Sequence, residues 1–464
     1  MNKNTLYRIY SSLFIGICLV PSVFMPFVKS DTSAEKRKLS EAPKVKTDDG
    51  KINFQYFDEF ETYFSEHFAF RQTLVTLDGY FKSKVLGTSS NSDVIVGKDD
   101  WLYYGETVND FLNIGTLSDR GINNIKNNLE IINDYCNQNN AKFIFTIAPN
   151  KNSIYPEYMP SNYSPTENKG NYEKLSESFD DDFPYCDMKE VILNTNSNIP
   201  LYHKKDTHWN NLGAYAGHAR IMEMLGKELC PSGNWTIRND RKGDLAEMIY
   251  PTSKADDTQI YSDYDLRYQY LGRFNSFDDI SIKTFCEGKS GNLLMFRDSF
   301  GEAILPFIAE CFGTAEFSRA VPYRLDNIGN ENVDNVILEI VERNIPNLQK
   351  YAPLIPAPVM NTLNIKNLTV CSDVTVKQEE IGNYLHIFGE LGDNFFTSDN
   401  TKIYVTANGV TYRAFNAFED KLLEREGEES DNGFSLYIPK NSDVTPDNIT
   451  IISINDDGTA VSSQ

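Results

Sequence analysis

The sequence predicts an α/β protein: an open parallel sheet flanked by helices, with an apolar N-terminal helix before it and a small all-β module after it. Three observations carry this prediction. The runs KFIFTIAP (142–149), Asn292 to Phe296 and Val336 to Val341 are short, continuous and apolar, as strands buried on both faces of a parallel sheet must be. Stretches with helical spacing alternate with them, which is the order of an α/β sheet. Beyond the prolines at 346, 353, 356 and 358 the text becomes short β-like segments broken by Gly, Asn and Asp.

Residues 9–28, IYSSLFIGICLVPSVFMPFV, carry no charge and have about the length of one bilayer span. Lys3 and Arg8 ahead of the run fit a cytoplasmic N-terminus with the remainder outside; a cleaved signal is the alternative, although no small-residue cleavage site follows. Cys18 follows a large residue and makes a poor lipoprotein signal. Residues 1–29 are therefore read as anchor or signal, and 30–52, with KRKLSEAPK at 36–44, as a linker. Phe54, Phe57, Phe60, Phe64, Phe68, Leu74, Leu77 and Phe81 predict one or two amphipathic helices with a core-facing stripe. Val94 to Val96 and Trp101 to Tyr104 predict two short strands around a turn. Helices are expected over 118–138, about 211–227 and 300–311. The α/β body spans 53–350 and the β-rich module 360–464, where Ala407-Asn408-Gly409-Val410 is a hairpin turn. A run of acidic residues from Glu424 to Asp431 reads as a solvated loop.

The formal net charge of −22 repels phosphate backbones and argues against nucleic-acid binding. Seven cysteines, none in C-x-x-C spacing, support neither a zinc site nor a dithiol, and are too few for a disulfide framework. With the body outside the cytoplasm, ATP-dependent chemistry is not expected, and no cofactor or metal is implied.

Five histidines are candidates for general-base work near neutral pH. His208 stands in DTHWNN (206–211), where Asp206 is two residues away and Asn210 is a plausible N-cap. A carboxylate so placed can fix the tautomer of the ring and stabilise its charged form. FRDSFG (296–301) follows an apolar strand and opens a helix, which points Ser299 into the crevice at the carboxyl ends of the strands. Backbone N–H groups and the helix dipole there favour negative charge. Each segment alone is weak, since Asp298 or Ser299 could simply cap the helix. Together they supply nucleophile, base and orienter.

DTHWNNLGAY (206–215) with RDSF (297–300) resembles the DHHW family, and is similar to the alginate O-acetylation proteins, whose domain is a permuted SGNH-hydrolase-like fold. Softer matches are KRKLSEAP (36–43), FDEF…YFSEHFAFR (57–71), VGKDDWLYY (96–104), APNK (148–151) with Tyr155-Pro156, and VERN (341–344), so the likeness covers about 33–345. The resemblance implies a triad of Ser299, His208 and Asp206 in permuted chain order. Thr207 replaces the second letter of DHHW, as in the alginate relatives, and Arg297 stands where SGNH hydrolases have glycine. That cation could serve an anionic substrate or the oxyanion. Asn150 and Lys151, past the 142–149 strand, and Arg343 and Asn344, past the 336–341 strand, are further substrate or oxyanion candidates. Trp209 either packs on sugar or belongs to the core. His67, His218 and His386 read as structural, and His203 is close to the site.

The expectation is an extracytoplasmic O-acyltransferase, acetyl most of all, acting on a cell-envelope or secreted polysaccharide. The resemblance implies a membrane-embedded partner that exports the acyl group. Two rivals stand: an esterase with the same triad, and a glycan-binding envelope protein in which the triad has decayed.

Overall fold

The computed structural model describes residues 3–28, 39–47, 49–440, 444–445 and 448–464; Lys29 and the start of the linker, including the first residues of KRKLSEAP, lie outside the described residues. Helix α1 (Lys3–Phe24) is long and apolar enough to cross a membrane by length and composition. Helices α2 (Tyr56–His67) and α3 (Arg71–Phe81) follow. Their aromatic stripe is not the core-facing one expected. Phe54, Phe57 and Phe60, before and on α2, are exposed, and so are Leu77 and Phe81 of α3, which docks on the body through its small polar face and leaves its apolar face outside.

A short antiparallel hairpin, β1 (Val94–Val96) with β2 (Leu102–Tyr104), precedes the main sheet. That sheet has seven strands. In chain order they are β3 (Lys142–Ala148), β4 (Tyr185–Cys186), β7 (Gln269–Leu271), β8 (Ser281–Phe285), β9 (Asn292–Phe296), β10 (Thr314–Ser318) and β11 (Asn335–Val341). Their spatial order is β4-β3-β11-β9-β10-β8-β7. The five strands from β4 to β10 are parallel, and β8 and β7 extend the sheet in antiparallel register. Every residue of β11 is buried, whereas β8 alternates exposed and buried, which is why only the parallel strands stand out as apolar runs. A second hairpin, β5 (Trp235–Arg241) with β6 (Asp257–Ser262), lies apart from this sheet.

Helices cover both faces. On one, helices Asn211–Leu225 and Gly301–Ala309 bring Ile221, Ile304 and Ile308 against Met295 and Ile337. On the other, helix Asp119–Gln138 brings Ile122, Ile125, Leu129 and Ile132 against Phe143 and Leu338. Ser118 caps that helix by accepting the Gly121 N–H. The six cysteines from Cys136 to Cys371 are unpaired thiols.

The C-terminal region holds β12 (Val359–Met360), β13 (Asn367–Val370), β14 (Val374–Ile381), β15 (Tyr384–Leu391), β16 (Thr401–Ala407), β17 (Val410–Arg413), β18 (Gly433–Pro439), β19 (Ile449–Asn455) and β20 (Thr459–Ser462). They form a six-stranded sheet, β12-β17-β16-β19-β20-β13, and a three-stranded one, β14-β15-β18, around one core. The expected hairpin joins β16 to β17, with Asn408 and Gly409 both at positive φ. This region docks on helix Asp119–Gln138 through asparagines. Asn128 and Asn416 exchange side-chain-to-backbone bonds of 3.0 and 2.8 Å, and Asn416 also donates to Asn124.

Candidate active site

The site forms where β9, β11 and β3 end. Ser299 sits in the turn between β9 and helix Gly301–Ala309. Asp298 holds that turn: its side chain accepts the Phe300 and Val341 N–H groups at 2.9 and 2.7 Å, and its own N–H donates to Glu339 at 3.1 Å. Burial, and then the Asp298 charge, keep the Glu339 carboxyl well above its ordinary pKa.

The opposing wall is the loop 203–210. The Asn210 side chain caps helix Asn211–Leu225, accepting from Leu212 and Gly213, which fixes where the loop enters the helix at a gain of about 1 kcal/mol. Lys151 is buried beneath the loop, and its ammonium donates to the carbonyls of His203, Lys204 and Asp206 at 3.1, 3.0 and 2.6 Å. Burial lowers it to about 8. Thr207 bonds Asp244 through its N–H and hydroxyl at 2.8 and 2.6 Å. Gly243 permits this close approach, since a Cβ there would lie 2.1 Å from the Lys205 carbonyl oxygen.

These two walls bring Ser299, His208 and Asp206 together. His208 Nε2 lies 2.9 Å from Ser299 Oγ, and His208 Nδ1 lies 2.7 Å from Asp206 Oδ1. Asp206 Oδ2 accepts Arg241 Nε and a terminal nitrogen of Arg241 at 3.1 and 2.8 Å. Burial opposes the charge on Asp206, but the bond to His208 and the charges of His208 and Arg241 outweigh it and hold the carboxyl well below its usual range. Burial likewise opposes the imidazolium, yet the bond and charge of Asp206, with Asp244 and Glu302 behind it, raise His208 above its ordinary value. The pair is thus poised to accept a proton from the serine. Asp206, His208 and Asp244 place three potential metal-ligand atoms within 4.8 Å of one another, but Arg241 already occupies the carboxylate with a fixed positive charge.

The other sequence candidates fall into different places. Trp209 is 1% exposed and donates to the Phe300 carbonyl at 3.0 Å, so it packs under the site. The Arg297 guanidinium is buried and donates to the carbonyls of Asp298 and Phe277 at 3.1 and 2.5 Å; it staples the serine turn to the neighbouring loop. Asn150 is buried, donates to Asp110 at 3.0 Å, and has an unpartnered Oδ1. The Arg343 guanidinium lies 5.9 Å from the Phe300 ring and 5.5 Å from that of Tyr104, and one of its terminal nitrogens has no partner. Asn344 follows it, half-buried, on the 3-10 helix Glu342–Gln349. His203 is buried and bonds the Thr258 carbonyl. In the C-terminal region, Glu379, His386 and Ser435 repeat the bonding order of the site at 3.0 and 2.7 Å, but His386 and Ser435 are sealed in the core.

Sequence reasoning missed Arg241, Asp244 and the buried carboxyl Glu342. Glu342 accepts the Asn150 N–H and the Ser153 hydroxyl at 2.7 and 2.8 Å. Burial pushes it up to about 7 from an ordinary 4.5. Its protonated form therefore favours the fold, fully below the unfolded value and progressively less as pH rises through about 7. Glu342→Gln, which keeps shape and bonding, is expected to stabilise the protein at about pH 8 by on the order of 1–3 kcal/mol and hardly at about pH 5. Thermal unfolding at both pH values checks this; an equal effect at both would refute it.

Ser299, His208, Arg241 and Glu302 line one cleft of about 340 Å³, walled further by Tyr261, Tyr264 and Phe277. Residues 94–280 match the family described as the SGNH hydrolase-like domain of acetyltransferase AlgX. Over those residues the chain is similar to an AlgX-type SGNH hydrolase-like domain. This is the resemblance that DTHWNNLGAY and RDSF suggest. The AlgX-type match ends before Ser299, so the serine's position is known from geometry alone. The probable alginate O-acetylase AlgJ of Pseudomonas syringae pv. tomato is 23% identical over 212 residues, 44% of this chain and 49% of the relative. The chain thus spans about half the length of that relative. Bacillus cereus PatB1 is similar in structure at a TM-score of 0.42 and 18% identity, covering 55% of this chain and 97% of PatB1. A DHHW family protein from Eubacterium siraeum gives 0.40 and 16%, covering 55% and 96%.

Proposed function

We propose that this protein is an extracytoplasmic O-acetyltransferase that acts on a cell-envelope or secreted polysaccharide. The observation that carries the reading is the chain of bonds from Asp206 through His208 to Ser299, open to a cleft. Ser299 Oγ attacks the acyl carbonyl while His208 Nε2 takes its proton and passes it to the leaving group. A sugar hydroxyl then attacks the acyl-serine, His208 removes that proton, and Ser299 is released. Asp206 orients the ring, Arg241 orients Asp206, and Arg343 with the serine turn is a candidate to receive the developing negative charge. Tyr261, Tyr264 and Phe277 beside Gln259, Arg241 and Glu302 offer the mixture of flat apolar and polar surface that sugars bind.

α1 fits a membrane anchor with Lys3 and Arg8 on the cytoplasmic side. Acetyl donors of the cytoplasm do not reach such a site, so a membrane-embedded partner that delivers the acyl group is part of the proposal. Incubating the purified full chain with a chromogenic acetyl ester, with and without polysaccharide acceptors beginning with alginate, tests it. Acceptor-dependent turnover and ester-linked acetyl on the glycan are expected. Hydrolysis indifferent to every acceptor would make the protein an esterase instead.

A further inference from the structure

We propose that the outer face of α3 lies in the boundary layer of a lipid bilayer, so that the body rests on the membrane rather than hanging from it by a tether. The inference rests on the reading of α1 as a membrane helix. α3 is amphipathic in the inverted sense. The face it turns to the body is small and polar: Thr76 accepts the Thr252 N–H at 3.0 Å, Ser83 accepts the Tyr250 hydroxyl at 2.6 Å, and Gly79 lies so near the backbone of residue 249 that a Cβ would come within 2.1 Å of the Ile249 carbonyl oxygen. The Tyr80 and Tyr250 rings stack at 4.4 Å beside them. The face it turns outward is apolar. Phe70, Leu74, Leu77, Phe81 and Val85 recur at three- and four-residue spacing through α3 and the turn of helix that continues it. Leu77, Phe81 and Val85 are 59, 56 and 66% exposed. A surface helix in water has the opposite arrangement.

What covers this face is indicated by its continuity with α1. The Phe24 and Phe70 rings meet at 5.9 Å, and the Ala69 N–H donates to the Pro21 carbonyl at 3.4 Å. Leu13, Ile17 and Val20 of α1 share one apolar groove of about 750 Å³ with Phe70 and Leu74. A helix side-on to the end of a membrane span, with its aromatic and aliphatic side chains outward, sits at the depth where the acyl chains begin. The nearby lysines are paired, Lys82 with Asp78 at 2.8 Å and Lys84 with Asp100. The contact is therefore apolar rather than electrostatic, and neutral lipid suffices for it.

The test reconstitutes the full chain in phosphatidylcholine vesicles whose lipids are brominated near the top of the acyl chain. Leu77→Trp and Val85→Trp each place a reporter on the face, and Val410→Trp places a control reporter on β17 of the C-terminal six-stranded sheet. Emission added by the substitution is read as the difference from wild type. Most of the added emission at 77 and 85 is expected to be quenched by bromine, that at 410 to be unaffected, and added phosphatidylglycerol to change neither. Quenching at 77 and 85 by aqueous iodide instead would overturn the proposal. So would protection from both quenchers, which would mean a protein surface, a second copy included. Flotation of the chain with vesicles reports α1 separately: a chain that floats with unquenched reporters keeps the anchor and loses this contact, and a chain that does not float loses both.

Discussion

Ser299→Ala is expected to abolish acyl turnover, with a loss of roughly 10⁴-fold or more in kcat. The hydroxyl bonds His208 Nε2 at 2.9 Å, and in the proposed mechanism it is the atom that carries the acyl group. Its removal leaves the ring without a substrate proton to take. The fold should hardly register the change, since the turn is set by Asp298 and Glu339 and the side chain is half-buried; a stability change within about 0.5 kcal/mol is expected. A sulfonyl fluoride should add its mass once to the wild-type chain and not to the variant. Turnover that survives in Ser299→Ala, or label recovered at another serine, would remove Ser299 from the mechanism. Ser435 is the informative comparison. It has a histidine and a glutamate in the same bonding order, but it is sealed from solvent, and no label is expected there.

The contrast between these two serines shows what was legible beforehand. An apolar strand ending in a serine before a helix and D-x-H before a capped helix are each weak alone, so Ser299, His208 and Asp206 are proposed as a set only from the two segments together and from the resemblance to the DHHW family. β3, β9 and β11 were legible because burial on both faces leaves an unbroken apolar run. Arg241 was not legible, because it reaches Asp206 from the end of a separate hairpin, and nothing in IRNDRK marks one arginine over another. Lys151 and Arg297 were visible as charges near the site, but their ends go to backbone carbonyls, a use that residue type does not announce. The asparagines at 124, 127 and 128 interrupt the helical apolar pattern without a local cause; their partners are residues 400, 416 and 431, far along the chain. The stripe at 54–81 was legible as a stripe. Whether such a stripe faces protein or lipid is decided by the opposite face, where Thr76, Gly79 and Ser83 fit the body too closely to be turned around.

Asp206→Asn is expected to cost roughly 10²–10⁴-fold in kcat, through the tautomer of His208 rather than through its position. The carboxylate accepts on both oxygens: His208 Nδ1 and N–H on Oδ1, and two nitrogens of Arg241 on Oδ2. An asparagine has one oxygen to share between them. Arg241 offers two charge-assisted donors and claims it, which turns the amide NH2 toward His208 Nδ1. The ring must then keep its proton on Nε2, where it cannot accept one from Ser299. Losing the Asp206 charge also removes what raises His208, so the acid limb of the remaining activity should move to lower pH. Arg241→Met alone should cost far less, since the Asp206–His208 bond survives it. The double variant then gives the sharper outcome. With Arg241 gone, the asparagine is free to present its oxygen to His208 Nδ1, and Asp206→Asn/Arg241→Met should recover activity over Asp206→Asn alone. A double variant no faster than the single would mean that Arg241 does not set the orientation at 206, and that the loss in Asp206→Asn comes from charge alone.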